Sequence, residues 1–401
     1  MSMKQVFLVL LAVFSLYIIF VTAYLLVIAI AAYFFRKKVV YDGMPLSLAV
    51  VIPAHNEEGH IGTTVAHLQR SNYPKTFYSV FVLADNCEDK TAERAVQAGA
   101  RVFRRTDTSN RGKGQALDWF FRNHRDIYGA FDGIVMVDAD TTVHKDFLAE
   151  IAASLKHPSV SAVQGYYGVS NGEEHWRSGL MSAAFHVFNH LRPAGYNGIG
   201  GTAGLRGNGM GFRTELILRT GWPAYSIVED YEFTMRLLLE GILVHYNPDA
   251  MVFSDMPTER KVAETQRMRW EGRGKDMKNT FVRLFFKKLM KQPKLRDLEA
   301  LISFFVPPLA LLVSGQILLF GVSFLVYPPL ATVLSFCFAV DAFYVVSGLV
   351  LRGARGTEWR SLLLAPVYMM WKMPLYYKMR QRDPDVWVRT KRPSELTKHF
   401  L

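Results

Sequence analysis

From Gln5 to Phe35 the chain carries no charged side chain. Roughly 20 apolar residues suffice for a helix to cross a bilayer, so this run is long enough to span one with length to spare. A second uncharged run extends from Ala300 to Val340, and apolarity resumes after Asp341 as far as Leu351. Pro307-Pro308 and Tyr327-Pro328-Pro329 interrupt it, so it reads as two crossings, about 298–326 and 330–351, joined by a tight turn. A cleaved signal peptide is the rival reading of the N-terminus. Its apolar core should be about 7–15 residues followed by a small-residue cleavage site; this run is longer and no such site follows. The chain reads as an integral membrane protein with one carboxylate, Asp341, inside a span, where such groups are usually functional or paired.

Lysine and arginine set the orientation. Arg36, Lys37 and Lys38 follow the first run directly, against Lys4 alone before it, so the middle of the chain is expected in the cytoplasm. Two further crossings return the C-terminus to the same side, and Arg380, Arg382, Arg389, Lys391, Arg392 and Lys398 agree. The formal net charge of +12 invites a nucleic-acid reading, but its placement argues against one. Residues 256–296 alone hold 13 Lys/Arg against 4 Asp/Glu. Basicity concentrated beside the membrane segments suits anionic lipid. Cys87 and Cys337 fall in different compartments of this scheme, which leaves no disulfide or cysteine metal site. The expected layout is a membrane helix over 1–38, a cytoplasmic domain over 45–275 and a basic interfacial helix over 276–297. Two membrane helices over 298–351 follow, then an interfacial or re-entrant segment near 361–378 within a basic tail, 352–401.

Between about 45 and 275 short apolar, β-branched runs alternate with helical patterns. The strands are read at 47–54, 78–85, 100–105 and 133–140, and the helices at 59–70, 91–98 and 114–124. That alternation predicts an α/β domain: a Rossmann-like, mostly parallel sheet with helices on both faces, where ligands sit beyond the carboxyl ends of the strands. Those ends are polar and mostly acidic: His55, Asn56, Glu57 and Glu58 after the first, Asp85 and Asn86 after the second, Asp138 and Asp140 after the fourth. A single acidic strand end is ordinarily a turn residue or cap. Several carboxylates held ionised together need a cation, because like charges raise each other's pKa. With no His/Cys cluster nearby, oxygen ligands point to Mg²⁺ or Mn²⁺ shared with a substrate's phosphates. Lys113, in the stretch 109–119, enters a helix between glycines but lacks P-loop spacing, and no GxGxxG follows the first strand. His186 and His190 are four apart, but Val187 stands where a zinc-binding HExxH would have glutamate.

Taken together these residues resemble glycosyltransferase family 2, membrane-bound branch, over about 48–275. The stretch 50–58, with Pro53, His55 and Glu57, is similar to the family's nucleotide-binding start, and Asp85 to the aspartate that contacts the base. Asp138 and Asp140 match its DxD, which ligates the metal of a nucleotide-diphosphate sugar. Glu229 and Asp230 match the acidic acceptor-side motif, with Asp230 as general base, and Gln266, Arg269 and Trp270 match QxxRW. The resemblance implies a GT-A fold, Mg²⁺ or Mn²⁺ as cofactor, a nucleotide-sugar donor, UDP by expectation, and inverting transfer. Lys113 would then stabilise the diphosphate, and the glycine-rich stretch 198–212 would form the acceptor side.

Plainer readings stand beside these. Gln266, Arg269 and Trp270 lie on one helix face and suit a helix docked on the membrane. Asp230 suits an N-cap for a helix over 231–240. QxxRW occurs both in polymer synthases and in enzymes that glycosylate a lipid once. Three crossings are few to line a polar pore, so the expected acceptor is a membrane lipid or lipid-linked saccharide, with a processive synthase as runner-up. A non-catalytic nucleotide-sugar sensor or scaffold would be expected to lack the metal ligand or the base, yet Asp140 and Asp230 are both present. A bacterial inner membrane follows from the resemblance and from the lack of organelle-targeting signals.

Overall fold

In the computed structural model residues 2–271 and 275–381 are described. The catalytic-side sheet has eight strands: β1 (Leu48–Ala54), β2 (Tyr78–Asp85), β3 (Arg101–Arg105), β4 (Gly133–Met136), β5 (Thr142–Val143), β6 (Ala162–Val169), β7 (Met210–Arg213) and β8 (Val244–Ser254), in spatial order β3-β2-β1-β4-β7-β6-β8-β5. β1, β2, β3 and β4 are parallel, and β6 is parallel to β8. β7 runs antiparallel between β4 and β6, and β5 antiparallel along β8. The central strands are apolar on both faces because helices cover both. Leu48, Ala49, Val50, Val51 and Ile52 are all fully buried. Ile61–Gln69 and Phe147–Lys156 pack on one face, and Lys113–Asn123 on the other. This is the mostly parallel α/β architecture expected, of GT-A type.

Three helices are long and apolar enough to cross a membrane: Met3–Tyr33, Leu309–Val326 and Pro328–Arg352. The first opens on a capping box in which Ser2 and Gln5 exchange hydrogen bonds. The last starts on proline and stops at Gly353, whose left-handed backbone (φ 68°) forms its C-cap. The crossing expected from about 298 begins instead at Leu309. Pro307 and Pro308 cannot supply the N–H groups a continuous helix needs, so Leu295–Phe305 is a separate amphipathic helix. Its apolar face, with Leu301 and Phe304, packs with Phe281 and Phe285 of the basic helix Lys275–Lys291. The segment expected near 361–378 comprises Gly356–Leu362 and Ala365–Gln381; residues 382–401, with most of the basic tail, lie outside the described ones.

The sheet domain is joined to the apolar helices by close backbone contact. Lys37 Nζ, just past the first apolar helix, reaches Glu150 (2.9 Å) and Asp249 (2.5 Å), while Tyr33 Oη donates to Ser347 Oγ at 3.1 Å between two of the apolar helices. A Cβ added to Gly195 would lie 2.3 Å from the Ile28 carbonyl oxygen, and one on Gly348 would lie 2.8 Å from Val187. At Gly195 the two bodies touch backbone to backbone, whereas the atom nearest a Gly348 Cβ belongs to the Val187 side chain. Overpacking such a site costs about 1–3 kcal/mol. Gly195→Val is therefore expected to lower the thermal unfolding midpoint in detergent, followed by scanning fluorimetry; an unchanged midpoint would mean that this contact carries no stability.

Candidate active site

Register brings the polar strand ends together. Val51 pairs with Met136 and Ala54 with Ala84, so β1, β2 and β4 end along one edge. β1 and β2 each turn on an asparagine in the left-handed region, Asn56 (φ 54°) and Asn86 (φ 50°), a conformation asparagine tolerates better than most residues. The turns are stitched together: His55 Nδ1 lies 2.8 Å from the Asp85 carbonyl, Glu57 N–H donates to Thr91 Oγ1 (2.7 Å) and Glu88 N–H to Asn56 Oδ1 (2.8 Å). Asp85 is buried and accepts from Arg105 Nη1 at 2.6 Å. Burial pushes its carboxyl above the ordinary value while the guanidinium pulls it back. Arg105, which nothing in the sequence flags, is thus the counterion of the expected base-contacting aspartate.

Beyond β4 the sheet's antiparallel register decides the geometry. Met136 pairs with Met210, which places Asp138 opposite Asn208, and Asp138 N–H donates to Asn208 Oδ1 at 3.1 Å. The glycine-rich stretch is thereby laid beside the DxD. Lys113 closes the arrangement: its Nζ sits 2.6 Å from Asp138 Oδ1, 2.5 Å from the Gly207 carbonyl and 3.4 Å from Glu229 Oε1. Burial alone would lower its pKa; the charges of Asp138 and Glu229 more than offset this and raise it. Gly114 lets the lysine's helix approach, since a Cβ there would fall 2.1 Å from the Ala224 carbonyl.

The acidic motif heads the helix Glu229–Leu239, which starts one residue before Asp230. The cap position is Val228, so Asp230 lies in the first turn and the N-cap reading fails. The preceding loop is held by Glu232, whose Oε2 accepts from Tyr225 N–H (3.1 Å) and Ser226 N–H (3.0 Å). Asp230 is half-buried, and its Oδ2 would lie 3.5 Å from a Cβ on Gly207. The perturbed carboxyl is Glu229: burial first, then the charges of Asp230 and Asp138, lift it to about 7 against the pull of Lys113.

Pro53, His55, Glu57, Asp85, Lys113, Asp138, Asp140, Glu229, Asp230, Gln266 and Trp270 all line one cavity of about 1620 Å³. The side chain of Arg269 lies outside the described ones. Trp270, on the helix Arg260–Glu271, faces Phe185 with ring centroids 6.1 Å apart and shares an apolar cluster with Met181 and Met256. That helix leans on Ala365–Gln381, where Trp371 Nε1 donates to Glu264 Oε1 at 3.2 Å. Tyr167 also lines the cavity, and burial, then the charges of Asp140 and Asp138, push its phenol pKa up. His186 and His190 are structural: His186 lies between Tyr166 Oη (2.9 Å) and Glu358 Oε1 (3.0 Å), and His190 beside Tyr246 Oη (2.9 Å).

Residues 45–272 match the family model described as "Glycosyltransferase like family 2". The chain belongs to that family. Among curated relatives, the beta-monoglucosyldiacylglycerol synthase of Trichormus variabilis is 30% identical over 240 residues, covering 56% of this chain and 49% of its own length. The probable glycosyltransferase YdaM of Bacillus subtilis is 26% identical over 253 residues, covering 61% and 59%. The chain thus spans about half the length of the curated relatives it matches. The mannosyltransferase PcManGT from Pyrobaculum calidifontis, solved with GDP-Man and Mn²⁺, superposes over 84% of this chain and 98% of its own, with TM-score 0.53 and 16% identity, a likeness of fold.

Glu229 yields a pH signature. Its folded value, about 7, lies above the ordinary 4.5, so the folded state keeps a proton that the unfolded chain has already released. Stability from this group is full below about 4.5 and is lost as pH rises through 7. Glu229→Gln is expected to flatten the stability-pH profile between these values, measured by chemical denaturation in detergent; an unaltered slope would refute the assignment.

Proposed function

We propose that this family 2 glycosyltransferase moves a sugar from a nucleotide-diphosphate sugar, UDP being the expected nucleotide, to a hydroxyl of a membrane lipid or lipid-linked saccharide, with inversion. One observation carries the reading. The cavity that holds Asp138, Asp140 and Asp230 continues to walls formed by Pro307 and by Leu309, Phe338 and Val345 of the apolar helices. A polar donor site and an apolar acceptor path are thus one space. The diacylglycerol-glucosylating relatives are consistent with it.

Asp230 is placed to take the acceptor proton as the acceptor oxygen bonds to the anomeric carbon and the bond from that carbon to the diphosphate breaks. Glu229, more deeply buried, orients Lys113. The lysine in turn stands ready for negative charge on the departing diphosphate, with Arg269 in support by family resemblance. Asp85 would meet the base, and Gln266 and Trp270 the acceptor side. Lys113 engages Asp138 Oδ1, which leaves Asp140 as the principal metal carboxylate. No group of three or more His, Cys, Asp or Glu that could hold an ion occurs among the described residues. A hard cation sharing its ligation with substrate phosphates fits such a donor set. Mg²⁺ or Mn²⁺, when bound, would neutralise the developing diphosphate charge. Arg36, Lys37 and Lys38 support a domain on the cytoplasmic face, of a bacterial inner membrane on this reading.

The test is transfer from a panel of labelled nucleotide sugars to membrane-lipid extract by detergent-purified protein, with and without Mn²⁺ or Mg²⁺. Label should enter a discrete lipid product. Asp230→Asn should reduce turnover by about 10²–10⁴-fold, the usual worth of a general base, while leaving nucleotide binding intact. Asp140→Ala should abolish the metal-stimulated rate. A polydisperse polymer would instead establish a processive synthase, and donor binding without any turnover a sensor.

A further inference from the structure

β3 is an edge strand, and its last two arginines face different surroundings. Arg104 pairs with Glu93 at the surface, both side chains more than half exposed, an arrangement worth little. Arg105 turns inward: its side chain is 6% exposed and that of Asp85 9%. The two are partners in register across parallel β2 and β3, so their side chains leave the same face of the sheet. A buried ion pair adds little net stability, because desolvating two charges costs about what their attraction returns. One set at the rim of a ligand cavity therefore points to a task beyond holding the strands together.

The hydrogen bonds define that task. Asp85 Oδ1 accepts from Arg105 Nη1 at 2.6 Å and from Asn86 Nδ2 at 3.0 Å. Oδ2 accepts from none of the described residues, and Asp85 lines the cavity while Arg105 does not. The guanidinium is held in turn by Asp107 Oδ2 and the Asn110 carbonyl, each 2.8 Å from Nη2. Asn86 Oδ1 fixes that loop by accepting from the Asp107 N–H at 2.8 Å. The arginine is thus anchored on two sides, and the carboxylate it grips has one oxygen spent and one left for a ligand. An ionised carboxylate only accepts hydrogen bonds, so a base that meets it must donate. At the centre of its pairing edge uracil (N3) or guanine (N1) carries an N–H, whereas cytosine (N3) or adenine (N1) carries a lone pair that a carboxylate repels.

We propose that Arg105 is a positioning residue for donor specificity: without touching the nucleotide, it fixes the Asp85 carboxylate so that the remaining oxygen accepts from the ring N–H of a uracil- or guanine-type base. This rests on the nucleotide-sugar reading above. Calorimetric titration of the detergent-purified full chain, with Mn²⁺ present, by UDP and by 3-methyluridine diphosphate tests it; GDP and its 1-methyl analogue serve where guanine is preferred. Methylation removes the one N–H, so the wild type should bind the analogue about 10–100-fold more weakly, the usual worth of a hydrogen bond to a charged group. Arg105→Met should raise the Kd for UDP by about that factor while barely moving that of the analogue, so the discrimination collapses, and Arg105→Lys should recover part of it. A loss shared equally by both ligands marks a general failure of the pocket and overturns the proposal, as does an unchanged ratio. Failure of the wild type to bind any nucleoside diphosphate overturns the reading beneath it instead. If Arg105→Met does not fold, the neutral pair Asp85→Asn with Arg105→Met leaves neither charge uncompensated and is compared with Asp85→Asn alone. UDP affinities within about twofold of each other support an arginine that acts only through Asp85, and a further tenfold loss overturns it.

Discussion

The arrangement of the site depends on one partly buried cation, Lys113. Lys113 Nζ gathers the carboxylate of Asp138, that of Glu229 and the carbonyl of Gly207 within 3.4 Å. Those groups come from the end of β4, the head of an acidic helix and the glycine-rich wall, which are far apart in sequence. All three segments are thereby held to one point, and Asp230 is carried beside Gly207 as a consequence. A cation already balanced by two carboxylates is also a cation that can turn toward an incoming diphosphate without first being desolvated.

The second constraint is the contact between the sheet domain and the apolar helices. At Gly195 the sheet domain meets the Ile28 backbone directly, and at Gly348 an apolar helix lies against Val187, so neither position has room for a larger side chain. Arg192 to Tyr344 pins the same seam, Tyr33 to Ser347 ties two apolar helices to each other, and His186 to Glu358 ties the sheet domain to the short helix Gly356–Leu362. A cavity shared between a nucleotide site and a bilayer requires this. Tilting the domain would open the path to water at the junction, and an acceptor hydroxyl would no longer compete with water for the anomeric carbon.

Much of this was legible in residue order. Long charge-free runs have one stable solution in water and lipid, so the apolar helices could be read directly, and alternating strand and helix patterns gave the α/β sheet. The proline pair at 307–308 is visible too, but residue order does not show that it separates a short helix from the span. A helix shorter than a crossing can still be apolar on one face, and only packing of Leu301 and Phe304 against Phe281 and Phe285 separates it from the span that follows. Arg105 was invisible because an arginine at a strand end has no pattern; its meaning comes from lying across the sheet from Asp85.

What the sequence determined by itself was chemistry: the carboxylates at strand ends, the acidic pair Glu229-Asp230, the QxxRW residues, and helices that must leave water. These are properties of local pattern, which period and charge reveal. The tertiary structure alone decided which of them act together. The antiparallel insertion of β7 sets Asn208 against Asp138, and burial falls on Glu229 more than on Asp230. It also opens the donor site onto Asp341, more than a hundred residues away in sequence. Pairing register and burial are sums over distant segments, so no window of residues contains them.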